Sequence, residues 1–181
     1  ASLLPAYRGG APIHQSIIDG QEKTGVTIMY MEEKLDAGDI IAQSEISIEH
    51  NDDTGMLFDK LSKVGSDLLK GTLPSIISGT NNRLKQDESL VTFARNISRE
   101  QERIDWEKSA LQVHNQIRGL HPWPVAYTIV EEQTVKIWKA DTINKHTKEQ
   151  PGTVVKIESD YFIVQTGFEE AIRVNELQPA G

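Results

Sequence analysis

Two carboxylates flank a glycine at Asp36-Ala37-Gly38-Asp39, between two stretches rich in strand-forming residues. A carboxylate in such a loop can carry a proton or polarise a neighbouring imidazole, and ligands of open α/β sheets bind where strands run out into loops. A solvated acidic turn would have the same spelling. Asp53-Thr54-Gly55 matches the triplet of aspartic proteases, whose two carboxylates share one proton. It has no second copy and stands directly before an amphipathic pattern, so it reads as a helix cap. The five histidines, at 14, 50, 114, 121 and 146, show no HxxxH, HxH or companion cysteine spacing. They read as structural or exposed, and no metal is expected.

Other candidates are weaker. Arg8-Gly9-Gly10 is too short for a dinucleotide fingerprint, and neither a P-loop nor a GxSxG elbow occurs. Asn96-Ile97-Ser98 fits a glycosylation sequon without a secretory context. Arg95, Arg99 and Arg103 recur every four residues, and Lys136, Lys139, Lys145, His146 and Lys148 gather further on. Such patches can hold phosphates through local charge, although ordinary solvated faces are the commoner meaning. Trp106, Trp123 and Trp138 read as core residues.

Elements must position these groups. Pro12 suits the first turn of a short helix carrying Ile13, Ile17 and Ile18, with Gly20 at its end. Residues 25–31 and 40–48 read as strands, the first as a strand covered on both faces. The clearest helix starts at Asp53-Thr54, runs through Leu57, Leu61, Leu68 and Ile76, and ends by Gly79; Pro74 inside it predicts a kink or a break. Residues 81–97 have linker composition. A helix is expected over 107–119, followed by short strands at 125–130, 134–140, 152–157, 161–166 and 171–174, a spacing that suggests a small barrel.

Composition bounds the answer. The 181 residues contain no cysteine, which excludes a disulfide framework and thiolate metal sites and fits a reducing compartment. No apolar run approaches a membrane span, and no secretory leader is recognisable, so a cytoplasmic protein that neither crosses nor targets a membrane is expected. The formal charge is -8. Residues 1–80 carry 6 basic against 12 acidic residues, and residues 81–181 carry 13 against 15, so neither part is a basic nucleic-acid module by composition.

Longer segments carry a resemblance. Ser2-Leu3-Leu4-Pro5-Ala6-Tyr7-Arg8-Gly9-Gly10-Ala11-Pro12, Thr24–Met29 and Leu35-Asp36-Ala37-Gly38-Asp39-Ile40 resemble the 10-formyltetrahydrofolate-dependent formyltransferases. Leu90–Ala94, Arg103-Ile104-Asp105-Trp106, Pro122-Trp123-Pro124, Val135–Trp138, Pro151-Gly152-Thr153 and Leu177-Gln178-Pro179-Ala180-Gly181 look like the methionyl-tRNA branch of that family. The resemblance implies an α/β fold. Residues 1–80 would be the C-terminal part of a Rossmann-like catalytic domain, 81–97 a linker, and 98–181 an OB-like β-barrel that helps to hold tRNA. It implies 10-formyltetrahydrofolate as formyl donor, initiator methionyl-tRNA as acceptor, no metal, and a monomer.

Among site residues, the resemblance implies Asp36 as the catalytic aspartate. Ser2, Leu3, Leu4 and Pro5 would form the folate-contacting segment, with Asp39 in the same folate-site loop. The family's other two catalytic groups, an Asn and a His in an Asn-x-His motif, belong immediately before the Ala-Ser-Leu-Leu-Pro segment. His14 does not align with that His. The chain also opens at Ala1 without an initiator Met, and it reads as cut from a longer protein, with one of three catalytic groups and no useful turnover by itself. A related enzyme formylating a small amine, such as an amino-sugar nucleotide, and a non-catalytic tRNA-binding fragment are the alternatives.

Overall fold

Asp53 accepts a hydrogen bond from the backbone N–H of Met56 (2.8 Å) and so begins the longest helix of the chain. The computed structural model describes residues 1–180; Gly181, which closes the Leu177–Gly181 segment quoted above, lies outside the described residues. The chain forms two compact units, residues 1–16 with 21–96, and residues 17–20 with 97–180.

The first unit is built from α1 (Pro12–Ile18), β1 (Lys23–Met29), β2 (Ile40–Ser47) and α2 (Thr54–Ser78). β1 and β2 pair antiparallel, from Lys23 opposite Ser47 to Met29 opposite Ile40. The ten residues between the strands, 30–39, are fewer than a parallel crossover connection requires, which fits the antiparallel pairing. Contrary to expectation, β1 is not covered on both faces, since Val26 to Met29 are only half-buried.

α2 packs on the strand pair through Leu57 and Leu61, both buried, with Gly65 facing the Val26 side chain. The helix runs through Pro74 without a break. Around the proline, the hydroxyls of Thr72 and Ser75 donate back to the carbonyls of Leu68 and Thr72 (2.7 Å each), as serine and threonine in helices commonly do. Gly79, left-handed at φ 71°, closes it, its N–H and that of Thr80 meeting the carbonyls of Ile76 and Ser75.

The stretch with linker composition lies folded on this unit as far as Asn96. Leu84 and Ile40 exchange two backbone hydrogen bonds (2.7 and 2.9 Å). Arg8 N–H donates to Thr92 O (2.9 Å) and Ala94 N–H to Arg8 O (2.8 Å). Between these stitches lie Gln86, which is buried, and a 3-10 turn at Glu88–Leu90.

The second unit contains α3 (Arg99–Glu102), α4 (Ala110–Gly119), β3 (Ala126–Val130), β4 (Gln133–His146), β5 (Val154–Ile157), β6 (Phe162–Gln165) and β7 (Glu170–Pro179). Capping boxes start both helices, Ser98 with Gln101 and Ser109 with Gln112. The strands form one antiparallel sheet in the order β3-β4-β7-β6-β5, and α4 packs its Val113 and Ile117 against Ile137, Ile172 and Val174. His114 joins this core through Nδ1, 2.9 Å from the carbonyl of Ala140.

The sheet is not closed, in contrast to the barrel expected from strand spacing. On the outer edge of β3, the Ile104 N–H donates to the Tyr127 carbonyl (2.8 Å), and β5 has only four residues interrupted by a bulge, so no ladder joins the two edges. A cleft of about 670 Å³ opens there, lined by Trp106, Ile129, Val154, Ile157 and Leu177. β4 continues to His146, well beyond the strand end expected near residue 140, which sets Lys139, Lys145 and His146 on one long strand. Trp106 packs on the core as expected and donates to Thr128 Oγ1 (3.0 Å). Trp123 departs from expectation, since it is exposed.

Candidate active site

Asp36 lies in the loop between β1 and β2, at a left-handed φ of 51° that side-chain-bearing residues rarely adopt. Its Oδ2 accepts the backbone N–H of Gly9 (2.9 Å), and its Oδ1 accepts no hydrogen bond from the described residues. The carboxylate lines a small polar cavity of about 80 Å³ with Ser2, Tyr7 and Thr27 among its walls. Half-buried and held from one side, such a group can accept a proton or orient an imidazole with its open oxygen.

Ser2-Leu3-Leu4-Pro5 runs alongside the strand pair, tied down by side chains of both strands. The Thr27 hydroxyl donates to Ser2 O (2.7 Å) and accepts from Leu4 N–H (3.1 Å), while Gln43 Nε2 donates to Leu4 O (2.8 Å). Thr27 and Gln43 are register partners of β1 and β2, which explains how two residues far apart in sequence act on one segment. Leu3 lies over Gly25, where any larger residue would meet its side chain. Ser2 and Leu4 are buried, Leu3 and Pro5 half-buried.

Asp39 shares the loop but faces another group. Its Oδ2 accepts from Arg83 Nε (2.7 Å), and the Arg83 guanidinium stacks on the Tyr30 ring at 4.3 Å. The hydrogen bond to Asp39 raises the Arg83 pKa above its ordinary value. Asp36 and the Ser2–Pro5 segment therefore meet at one cavity, and the Asp39 carboxylate is engaged outside it.

A second layer lies beneath the loop. Arg8, fully buried, donates through Nε (3.2 Å) and Nη2 (2.8 Å) to Gln86 Oε1, and through Nη2 to Glu88 Oε1 (2.9 Å). Gln86 Nε2 donates to the carbonyls of Asp36 (2.8 Å) and Gly38 (2.7 Å). Hydrogen bonds from Arg8 and Lys34 depress the Glu88 pKa. Gly38 has no space for a side chain, because a Cβ would stand 1.7 Å from Tyr30 O.

The sequence reading missed Arg8, Thr27, Gln43 and Gln86. None lies in a recognisable chemical spacing, and their partners are up to 80 positions away. The nearest signal is the Arg8-Gly9-Gly10 turn, which is too short for a dinucleotide fingerprint and carries no other chemical spacing. Asn-x-His is spelled once within the chain, at Asn144-Lys145-His146, which belongs to β4 of the other unit. Among the described residues, no cluster of His, Asp and Glu is arranged to hold a metal, and no helix is long and apolar enough to cross a membrane.

The family model described as "Formyl transferase" matches residues 1–73, and the model described as "Formyl transferase, C-terminal domain" matches residues 96–181. The chain belongs to the formyltransferase family. The methionyl-tRNA formyltransferase of Lysinibacillus sphaericus is 64% identical to this chain over 182 aligned residues, covering all of the chain and 58% of the relative. The chain thus spans little more than half the length of that curated relative. Among solved structures, the N-formyltransferase of Helicobacter canadensis, in complex with folinic acid and dTDP-3-aminofucose, superposes with a TM-score of 0.79 at 23% identity, covering 99% of this chain and 64% of its own. WlaRD, a sugar 3N-formyltransferase solved with dTDP and 5-N-formyl-THF, gives 0.78 at 25% identity, covering 96% and 62%. These likenesses extend the formyltransferase fold across both units.

Proposed function

We propose that the protein containing this chain transfers the formyl group of 10-formyltetrahydrofolate to the α-amino group of methionine on initiator tRNA. The observation that carries this reading is the 64% identity, over the whole chain, to a methionyl-tRNA formyltransferase. The formyl-THF in the WlaRD structure supports a folate donor.

In this reading Asp36 is the catalytic aspartate. Its open oxygen receives the imidazole of the family's Asn-x-His motif, keeps that ring oriented and charged, and helps to remove the proton of the attacking amine. Donors of that motif stabilise the oxyanion formed as the amine adds to the formyl carbon. Ser2, Leu3, Leu4 and Pro5 contact the folate, supported by the hydrogen bonds that hold this segment beside the Asp36 cavity. Asp39 belongs to the folate loop through its backbone position and its pairing with Arg83. The second unit acts as an OB-like module holding tRNA phosphates through Lys139, Lys145, His146 and Lys148. Lys139, His146 and Lys148 are exposed, as phosphate contacts require. The protein works as a cytoplasmic monomer without a metal.

The sugar acceptors of the structural relatives favour one rival, formylation of an amino-sugar nucleotide. The full-length protein is assayed with 10-formyltetrahydrofolate and either methionyl-initiator tRNA or a dTDP-amino sugar. Formylated methionine on tRNA with no sugar product is expected; product on the sugar alone overturns the reading. The 181-residue polypeptide, with one of three catalytic groups, is expected to give no product above the protein-free rate.

A further inference from the structure

We propose that Gln86 is the positioning residue of Asp36, and that buried Arg8 exists to orient Gln86. Every hydrogen-bonding position of the Gln86 amide is used. Oε1 accepts twice from Arg8, and the two N–H groups of Nε2 go to the carbonyls of Asp36 and Gly38. The amide has one workable orientation, because flipping it would turn its oxygen onto two carbonyls and its NH2 onto a guanidinium, leaving donor against donor.

Arg8 is in turn fixed from three directions. Its backbone is stitched to Thr92 and Ala94, and its guanidinium is paired with Glu88. The next residue, Gly9, supplies the N–H that holds Asp36 Oδ2. Two consecutive residues thus grip Asp36 at both ends, Gly9 at the carboxylate and Arg8, through Gln86, at the main chain. The grip is needed because Asp36 is left-handed, and relaxation of φ would swing the carboxylate away from the Gly9 N–H and the cavity. Gln86 comes from the stretch with linker composition, so the Asp36 loop is completed by a segment beyond α2.

The kinetic part of this inference rests on the formyl-transfer reading; the structural part does not. In the full-length protein, Gln86→Glu keeps an acceptor for Arg8 but removes both donors to the loop, and Gln86→Met keeps the volume and removes all four bonds. If the residue positions a catalytic group, kcat for formyl transfer falls about tenfold or more, since misplacement by an ångström can cost about a hundredfold. The KM values for donor and tRNA stay within about threefold, because ground-state binding is not what is lost.

A variant with lowered thermal stability but an unchanged kcat at temperatures where it is folded overturns the proposal. Gln86→Met serves if Gln86→Glu does not fold. If the wild-type protein formylates neither tRNA nor amino sugar, the functional reading has failed, and amide hydrogen exchange decides the positioning role. Exchange at Gly9 about tenfold faster in the folded variant supports it, because that amide is protected by Asp36, and equal exchange overturns it.

Discussion

The Gly9 amide and the Asp36 carboxylate meet at 2.9 Å across 27 positions of sequence. Gly9 can make this contact because its φ is +129° and a Cβ would stand 2.5 Å from the Ala94 carbonyl oxygen. Gly9→Ala is therefore strained in backbone angle and in space at once. We expect it to lower unfolding free energy by about 2 kcal/mol or more in urea titrations, with formyl transfer falling alongside.

The two aspartates of the loop should separate in kinetics. Asp36 offers an open oxygen to the cavity, whereas Asp39 is engaged by Arg83. Asp36→Asn should reduce kcat by about 10²–10⁴-fold, the range of a lost general acid-base group, and Asp39→Asn by less than about tenfold. Steady-state rates of the two full-length variants test this ordering, and a larger loss from Asp39→Asn would reverse the assignment.

Asp53 should behave as a helix cap and not as a catalytic carboxylate. Removing its bond to the Met56 amide in Asp53→Ala should cost about 1 kcal/mol of stability. Formyl transfer measured well below the melting temperature should stay near wild type. Loss of activity without loss of stability would give this Asp-Thr-Gly triplet a chemical role after all.

The second unit carries its own acid dependence. Hydrogen bonds from Arg173 and Asn175 depress the Asp141 pKa below the ordinary carboxylate value, the Arg173 contribution being the larger. A depressed folded-state pKa adds stability above the unfolded pKa, and that stability is lost as pH falls through the folded value. Asp141→Asn should therefore be less stable than wild type near neutrality; the difference should begin to shrink below about pH 4, where the unfolded carboxyl takes up its proton, and vanish only below the depressed folded value. Thermal melts across pH 3–7, a span of about four units around the usual carboxylate range, measure it. A constant offset at all pH values would show that charge is not the cause.

Local chemistry made much of the fold legible. Asp53, the apolar spacing of Leu57 and Leu61, and Gly79 marked both ends of α2, and strand-forming runs located β1, β2 and most strands of the second unit. What escaped were the relations between elements. Nothing in the composition of residues 81–97 indicates that Leu84 pairs with Ile40 or that Gln86 is buried, because a polar residue with all its bonds satisfied inside has the same spelling as one in solvent. Strand spacing likewise could not show whether β3 and β5 would meet. At the site, Asp36 and Ser2–Pro5 were reached through family resemblance, since the hydrogen bonds that hold them come from residues chosen by the fold rather than by a motif.

The unjoined edges of the five-stranded sheet have a consequence for behaviour at high concentration. A free strand edge is a template on which another chain can extend the ladder. Here one such edge is β5, four residues long, bulged, and carrying Lys156 paired with Glu158 in its immediate neighbourhood. An incoming strand would find little length to grip and a charge to bury. Replacing that lysine with valine would turn a guarded seam into an adhesive one, and the protein would be expected to lose solubility before it lost its fold.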